Sequence, residues 1–476
     1  MKANTMKTTL RWSLLTLAII ALSGCASIDI DQTIDDTNTT AQTFTQGKLV
    51  LNRTDSQRQA ASKLSAELLA RPLSMDEAVQ LALANSPAMQ TLLAQSWADM
   101  SLANQGGRMA NPIFNFERVR EDDELEIGRL LSFGLLELLT LPRRMSIASS
   151  QVAQARVQLS ANVVEQVTQV RQAWVRAVGA QQSLQYAQQV NTSAQASAEL
   201  ARRMQQVGNF NKLQRARQQV FYADATAQLA ASQHAVTAAR EELTRLLGLS
   251  DEQQARLVLP ERLPDLPKAS RAPQAVSKGA SAQRLDVQLA RSQLDAAGKS
   301  QGLNLITSLI DVELGIRRDT VFDNEDGTRS NRKGWELDIR LPIFDWGSAQ
   351  RDAMNAKSLA ATSRYETTVR GASSQLRESY SAYRTAYDVA RLYRDEIVPL
   401  RKIMADENVL RYNGMLIGVF ELLADNRSQI ASVTAAINAY QQFWLADAAL
   451  SASMIGKPTS VMMAAPAAAG GGEKPH

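Results

Sequence analysis

Cysteine and histidine are nearly absent from this sequence. Its one cysteine, Cys25, excludes an intramolecular disulfide, and its two histidines, His234 and His476, leave no cluster of Cys and His ligands for a metal. Neither a glycine-rich phosphate loop nor a nucleophile-elbow motif is present. We therefore expect no catalytic residue, no metal site and no cofactor, and we predict that the protein is not an enzyme.

Long apolar runs and an excess of one charge are also missing. Beyond the N-terminal segment, no stretch reaches the roughly 18 consecutive apolar residues that indicate a membrane-spanning helix. The chain has 52 Lys and Arg against 48 Asp and Glu, and three of the basic residues, Lys2, Lys7 and Arg11, precede Cys25. Without them the balance is 52 − 3 = 49 against 48. This near-neutral balance favours no nucleic-acid partner.

The N-terminus has the form of a bacterial lipoprotein signal. A basic start is followed by an apolar run from Trp12 to Leu22, too short to span a bilayer, and then by Leu22-Ser23-Gly24-Cys25. We predict cleavage after residue 24 and lipidation of Cys25; the alternative is an ordinary signal peptide with an incidental cysteine. Ala26, rather than aspartate, follows Cys25, which is similar to lipoproteins sent on to the outer membrane. Outer-membrane lipid is therefore a predicted partner.

Proline is missing from three long stretches, 143–259, 343–398 and 400–457. A helix from Arg143 to Gln206 would be about 95 Å long, far more than an ordinary globular helix. Apolar residues recur at spacings near three and four, which is typical of helices that supercoil. They are Val163, Val167, Val170, Trp174 and Val178 in one half, and Leu376, Tyr380, Tyr383, Tyr387 and Ala390 in the other.

The helical pattern is duplicated. Each half has one glycine break, at Val207-Gly208 and at Asn413-Gly414, and the two breaks are about 206 residues apart. The helical runs end at Gly248 and Gly456. Glycine permits the backbone conformation that a tight reversal needs. We therefore predict two equivalent halves, each containing a helical hairpin that turns at Gly208 or Gly414.

Strand-like alternation precedes each hairpin, at about 112–136 and about 305–341. In the second copy, Ile310–Arg317 and Trp335–Leu341 alternate apolar and charged residues, with a long charged loop expected up to Arg332. Four strands are too few for a membrane barrel, which needs about eight, and an open edge is not tolerated in lipid. Three copies would give a 12-stranded transmembrane β-barrel and a trimeric α-barrel. The alternative is a soluble four-stranded sheet on a coiled-coil protein.

These patterns predict a fold that is mainly α with a small β part. The predicted domains are a signal peptide (1–24), a lipidated leader that is extended up to about residue 60 (25–72), a first repeat (73–259), a proline-rich linker (260–280), a second repeat (281–457) and a disordered tail (458–476).

Four pieces of sequence carry a resemblance to a known family. They are the helix start from Leu73-Ser74-Met75-Asp76-Glu77 to Pro87, the strand-to-helix junction 337–347, Ile397-Val398-Pro399-Leu400 followed by Tyr412-Asn413-Gly414, and the endings at Gly248 and Gly456. In order and duplication the chain resembles the TolC-like outer-membrane efflux proteins, lipoprotein type, over nearly all of its mature length. One departure is Gln283-Arg284-Leu285-Asp286, where the family often has Arg-Pro-Asp-Leu.

The resemblance implies a homotrimer whose 12-stranded outer-membrane barrel stands on a long periplasmic α-barrel. It implies the passive exit duct of a tripartite pump, with a periplasmic adaptor protein and an inner-membrane transporter as partners. The alternative is a periplasmic coiled-coil lipoprotein that serves as a scaffold without a pore.

The resemblance also gives candidate sites. The turns at Gly208 and Gly414 would form the periplasmic tip, with Val207, Phe210, Leu416 and Ile417 as candidate adaptor contacts. Alternatively, these side chains only pack the turns. Glu421 and Asp425 lie four residues apart on one helix face, so threefold symmetry would make each a ring of carboxylates at the narrow end of the duct. The alternative is a solvated acidic face.

Overall fold

The structure, a computed structural model, describes residues 28–122, 124–272, 284–307, 311–323, 325–341 and 343–456. The predicted signal peptide, Cys25 and the predicted C-terminal tail lie outside the described residues, so these predictions stay as they are.

The described chain is mainly helical, with one small sheet. In chain order the elements are α1 (Ile30–Thr45), α2 (Asp55–Leu68), α3 (Met75–Asn85), α4 (Pro87–Gln105), β1 (Ile113–Glu121), β2 (Glu124–Gly134), α5 (Leu135–Gln206), α6 (Lys212–Leu247), α7 (Asp251–Arg256), α8 (Leu285–Thr307), β3 (Asp311–Asp323), β4 (Thr328–Arg340), α9 (Ser348–Leu392), a π-helical turn (Tyr393–Ile397), α10 (Val398–Asn413) and α11 (Val419–Ile455).

The N-terminal segment is helical rather than extended, so the prediction for the leader was wrong. Its polar composition hid a buried face, because Ile30, Ile34 and Phe44 on α1 pack into the main core. Threonine lowers helix propensity, yet Thr37 is itself buried and its hydroxyl donates to the carbonyl oxygen of Thr33, 2.9 Å away. Burial thus outweighs the weak local preference for helix.

The capping box at the start of α3 is confirmed. The Ser74 backbone N–H donates to Glu77 Oε2 at 2.9 Å, and the Ser74 hydroxyl oxygen accepts from the Glu77 N–H. These bonds, with Arg71 nearby, hold the pKa of Glu77 below its usual range. Pro87 begins α4, where its missing N–H costs nothing. Helices α3 and α4 both pack against α5.

Two long helical hairpins make up most of the chain. Helix α5 has 72 residues, which corresponds to about 108 Å. It starts directly after β2, earlier than predicted, and includes Pro142 as its eighth residue. Helix α6 packs back along it, and in the second half α11 packs against both α9 and α10. Between α9 and α10, the π-helical turn precedes Pro399.

The four strands form one antiparallel sheet in the order β1-β2-β3-β4. Both predicted hairpins are present. The long charged loop expected up to Arg332 is wrong, because β4 already begins at Thr328 and pairs along its whole length with β3. The residues at this end of β4 are all polar, so the alternation of apolar and polar residues that indicates a strand is missing there. The turn needs Gly327 in the left-handed region, with φ +63°.

Two hydrophobic cores stabilise the helices. The larger core joins α1, α3, α4 and α5, and Trp174 at its centre donates its indole N–H to the Leu73 carbonyl at 2.8 Å. The smaller core lies between α9 and α11, where Phe443 is surrounded by Tyr383, Tyr387 and Trp444. The apolar seam predicted from spacing is buried in both hairpins, apart from Tyr380, which is only partly buried.

The described part of the proline-rich linker, residues 260–272, has neither helix nor strand, yet it is packed. Leu263 enters the larger core and Leu266 the smaller one. The Trp444 indole N–H donates to the Pro264 carbonyl at 3.0 Å, and the Tyr387 hydroxyl donates to the Pro267 carbonyl at 3.1 Å. The linker therefore holds the two halves together.

Candidate functional site: the sheet and the hairpin tips

Two regions at opposite ends of α5 hold the candidate functional residues. The sheet lies at its N-terminal end, because β2 leads directly into α5. The turn at residues 207–211 lies at its C-terminal end. A continuous 72-residue helix joins the two regions, so they are about 100 Å apart.

One face of the sheet is apolar and exposed in its half nearest the helices. The strand register places Phe114, Leu131, Ile316 and Trp335 side by side across all four strands, and Trp335 is 74% exposed. Further exposed apolar side chains lie on β4 and after it: Leu337, Ile339, Leu341, Ile343, Phe344 and Trp346. A contiguous exposed apolar surface of this kind marks contact with another protein or with lipid.

The opposite face of the sheet is acidic. Strand alternation places on it Glu117, Glu121, Glu124, Glu126, Glu313, Asp319, Asp323, Glu336 and Asp338. Arg317 pairs with Asp319 at 2.8 Å and lies 3.7 Å from Glu117. The two faces of the sheet therefore differ in polarity in the half nearest the helices, and all the carboxylates lie on one of them.

The sheet is open at both edges within the described chain. Strands β1 and β4 each pair on one side only. Each of them presents a row of backbone N–H and C=O groups to any strand that comes alongside.

The first hairpin turns through a Schellman motif with glycine in the left-handed position. Gly208 has φ +81°, and its N–H donates to the Gln205 carbonyl while the Asn209 N–H donates to that of Met204. Asn211 then caps α6 through a capping box with Gln214. The chain reverses at Gly208 as predicted, and Gly208 lies in the left-handed region that favours glycine.

The second hairpin turns through the same Schellman motif, but the left-handed position is taken by Met415, the residue after Gly414. The Met415 N–H donates to the Tyr412 carbonyl, the Leu416 N–H donates to that of Arg411, and Met415 takes φ +58°. Gly414 has φ −79°, which any residue adopts. The turn is confirmed, but the glycine argument for Gly414 was wrong, because Met415 and not Gly414 is the structural equivalent of Gly208.

This difference gives a matched pair of substitutions. Gly208→Ala is expected to destabilise the first turn by about 1–2 kcal/mol, because a Cβ is disfavoured at positive φ. The added Cβ would have no neighbouring atom within 4 Å, so a steric clash adds nothing to this loss. Hydrogen exchange of the Asn209 and Phe210 amides, which both donate to Met204, should quicken by roughly 5- to 30-fold. Gly414→Ala should leave the exchange of Leu416 unchanged. Equal effects of the two substitutions would contradict the assignment of the turns.

The side chains at the two tips divide into packed and exposed sets. Phe210 is 6% exposed and stacks on Phe420, with ring centroids 4.6 Å apart, while Ile417 is also buried. Val207 and Leu416 are 70% and 73% exposed. Of the predicted adaptor contacts, Phe210 therefore packs the two tips together, Ile417 is buried, and Val207 and Leu416 form the accessible surface.

Glu421 and Asp425 both lie in the first two turns of α11. Glu421 is exposed and Asp425 is half-buried. Phe420 and Arg427 of the same helix contact the first hairpin, and at about 100° per residue the acidic pair is rotated roughly a third of a turn from that contact face. Glu421 also lies in the first turn of the helix, where a carboxylate is favoured by the helix dipole.

Arg427 is a tip residue that the sequence did not single out. Its guanidinium reaches from α11 to the first hairpin, where it donates to Gln218 Oε1 at 3.0 Å and to the Arg217 carbonyl at 3.2 Å. It also lies 4.4 Å from the centroid of the Phe221 ring. Burial lowers the pKa of Arg427. A single arginine among Asp425, Asn426, Ser428 and Gln429 carries no pattern that would reveal such a contact.

A charge cluster on α5 stiffens the first hairpin near its tip. Glu199 accepts hydrogen bonds from Arg202 and Arg203, each at 2.8 Å. These bonds lower the pKa of Glu199 to about 2. The carboxylate is accessible to solvent and already bound by two guanidinium groups, so it acts as a local helix clamp rather than as a site for proton transfer.

Two other kinds of site are missing from the described residues. No group of three or more His, Cys, Asp or Glu side chains there is placed to hold a metal ion. None of the described helices combines enough length with enough apolar character to cross a membrane.

Several solved structures of bacterial membrane proteins have this fold. VceC of Vibrio cholerae matches with a TM-score of 0.65 and 17% identity over 80% of this chain and 95% of that chain. The open MtrE channel of Neisseria gonorrhoeae matches with a TM-score of 0.63 and 18% identity over 80% and 89%. A membrane protein of Pseudomonas aeruginosa matches with a TM-score of 0.67 and 21% identity over 80% and 90%.

The sequence itself matches one family. The profile of the outer membrane efflux protein family aligns with residues 277–406, which run from the end of the linker through the second pair of strands and α9 into α10. No curated protein sequence matches the chain. Residues 277–406 thus match the outer membrane efflux protein family in sequence, and the described chain has the fold of TolC-like channels.

Proposed function

We propose that three copies of this chain form the exit duct of a tripartite efflux pump, passively conducting substrates across the outer membrane. The observation that carries the proposal is the sheet, which has an exposed apolar face, an acidic face and two unpaired edges. Such edges are not tolerated in lipid. Four strands from each of three copies would close a barrel of twelve, with the apolar face toward lipid and the acidic face toward the lumen.

The helices support the same assembly. Helix α10 buries none of its residues within the single chain, and it exposes Leu400, Ile403, Met404, Val409 and Leu410. At about 100° per residue, Leu400, Ile403 and Met404 share one face of the helix, and such an apolar face is normally covered by another helix. A neighbouring copy in a threefold tube would supply that cover.

The hairpin tips are the proposed docking rim for a periplasmic adaptor protein, which would join the duct to an inner-membrane transporter. Val207 and Leu416 are exposed there beside Met415, which is 93% exposed. Large apolar side chains on a tip without a charged cover favour a protein partner. Lipidation of Cys25 would add an anchor in the outer membrane.

Glu421 and Asp425 are the proposed acidic rings at the narrow end. Neutralising both by Glu421→Gln and Asp425→Asn should raise ion leak through planar bilayers. It should also lower the preference for cations on the order of 10-fold, because carboxylate rings concentrate cations locally. Asp406→Asn with Glu407→Gln on α10 removes the same charge from exposed positions near the tip and should change neither. Unchanged conductance and selectivity in the first variant would discard the rings.

Single-channel recording tests the function itself. Full-length protein added to a planar bilayer should give stepwise conductance, and the trimer should migrate on gels in a heat-dependent way. A non-pore scaffold is the competing function, and it predicts a folded protein with neither property. Conductance that is absent from folded, bilayer-associated protein would therefore overturn the proposal.

A further inference from the structure

The outward half of the apolar sheet face is cationic. Six basic residues lie on this face toward the β1–β2 and β3–β4 turns, and we call them the cationic band: Arg118 and Arg120 on β1, Arg129 on β2, Arg318 on β3, and Arg329 and Lys333 on β4. All are exposed except Arg129, which is half-buried. The register and the strand alternation place no acidic residue on this face in the described strands.

Three members of the band lie in one row. Arg318 is directly opposite Lys333 on β4, and the pairing of Ile127 with Thr320 and of Leu130 with Arg317 puts Arg129 opposite Arg318 on the other side. Neighbouring strands are about 4.8 Å apart, so three positive charges stand side by side, an arrangement that is unfavourable without a counter-charge. An anion with several oxygens fits this spacing.

No residue of the described strands supplies such a counter-charge on this face. None of the six band residues forms a salt bridge within the described part of the chain. Arg329 instead lies 5.4 Å from the centroid of the Phe322 ring. The carboxylates of the sheet all lie on the opposite face, where Arg317 already pairs with Asp319. The band is therefore charged and accessible, and its charge is not balanced from within the described chain.

The position of the band indicates what the anion is. Its first row is two residues along the strands from the row of Phe114, Leu131, Ile316 and Trp335, which corresponds to about 7 Å. Aromatic side chains such as Phe114 and Trp335 are enriched where a membrane barrel meets the headgroup layer. Cations just beyond that level face the phosphates of the lipid headgroups.

We propose that the cationic band binds the phosphate groups of anionic lipids in the outer leaflet, so that the channel carries a specific shell of phosphorylated lipid. The proposal rests on the proposed function, because it requires the apolar face to lie in the outer membrane. The three-residue row supplies guanidinium and ammonium donors at a spacing that lets one phosphate contact two strands. Arginine suits this role because its planar group binds phosphate in a bidentate way.

The test uses the purified full-length protein in a neutral detergent. Native mass spectrometry would count bound lipids during titration with diphosphorylated lipid A, with dephosphorylated lipid A or with phosphatidylcholine. The wild type should retain the diphosphorylated lipid on the order of 10- to 100-fold more tightly than the other two, and high salt should weaken the binding. Equal retention of the three lipids would overturn the proposal.

Matched variants locate the binding. Arg129→Gln, Arg318→Gln and Lys333→Gln together should abolish the preference, and Lys333→Gln alone should reduce it. Arg332→Gln, one residue away on the acidic face, should leave it unchanged. The triple variant relieves repulsion among neighbouring positive charges, so it should fold, which its heat-dependent gel migration would check. A triple variant that folds and keeps the preference would contradict the proposal, as would displacement of the lipid by an equal concentration of inorganic phosphate.

Conductance separates this inference from the function on which it rests. Wild-type protein that conducts but binds the three lipids equally would disprove the lipid site and leave the proposed channel in place. Wild-type protein that neither inserts nor conducts would sink the proposed channel.

Discussion

Replacing Arg284 by methionine is expected to lower the free energy of unfolding by about 3–5 kcal/mol, because it breaks a buried ion pair and leaves its partner uncompensated. The Arg284 side chain is fully buried and binds Asp286 through two hydrogen bonds, at 2.7 and 3.0 Å. The same guanidinium donates to the Ala372 carbonyl and to Gln375 Oε1 on α9, both at 3.3 Å. Guanidinium-induced unfolding followed by circular dichroism measures the loss.

Two comparisons make this prediction specific. Arg291→Met, on the exposed surface of the same helix, should change stability by less than about 0.5 kcal/mol. Arg284→Met combined with Asp286→Leu should be less destabilising than Arg284→Met alone, because no buried charge remains without a partner. If the double variant lost as much as the sum of the two single variants, the pair would not act as a unit.

Replacing Gly248 by alanine is expected to destabilise the first half by about 2–4 kcal/mol, from backbone strain and overpacking together. Gly248 ends α6 with φ +66°. A Cβ there would stand 2.3 Å from Pro87 Cδ and 2.8 Å from Ser86 Cα, so the start of α4 would have to move. The Asn85 side chain, which donates to the carbonyls of Leu247 and Gly248, would lose its geometry too.

Gly456 gives the matched control for this second prediction. It ends α11 with φ −144°, and a Cβ there would meet nothing closer than Val164 Cγ1 at 3.8 Å. Gly456→Ala should therefore be tolerated, with a change within about 0.5 kcal/mol. Thermal unfolding of the two variants side by side measures the difference. An equal loss of stability in the two variants would contradict this prediction. It would mean that the two helix ends are equivalent despite their different backbone conformations.

The features predicted correctly from the sequence depend on local patterns. Alternation indicated the four strands, the proline-free runs indicated the long helices, and Ser74 with Glu77 indicated the start of α3. Each of these signals lies within a few residues of the element that it predicts. The hairpins could therefore be recognised without any knowledge of how they pack.

The features that were missed depend on tertiary contacts. Helix α1 is stabilised by burial of Ile30 and Phe44 in a core formed by residues far along the chain. The sequence around Arg284 gives no sign that its side chain is fully buried. Met415 occupies the left-handed position of the second turn. The sequence assigned this position to the adjacent Gly414, because glycine is the residue that most readily adopts it.

The candidate tip residues also differ only in their tertiary contacts. Phe210 and Val207 are both apolar residues beside a glycine turn, and only the stacking of Phe210 on Phe420 distinguishes them. Arg427 could not be identified because its partners, Gln218 and Phe221, are on another hairpin. Spacing along one helix shows which side chains share a face, but not which neighbour that face meets.

Disulfide cross-linking between the two edge strands tests the central claim most directly. Val119→Cys on β1 would be combined in turn with Ser330→Cys, Arg332→Cys or Gly334→Cys on β4, and single cysteine variants would control for Cys25. Within one chain, β1 and β4 are separated by two strands, or about 14 Å, which is too far for a disulfide. We predict that at least one pair yields covalent species containing up to three chains. Cross-links confined to one chain, or a largest species of any other size, would contradict closure by three copies.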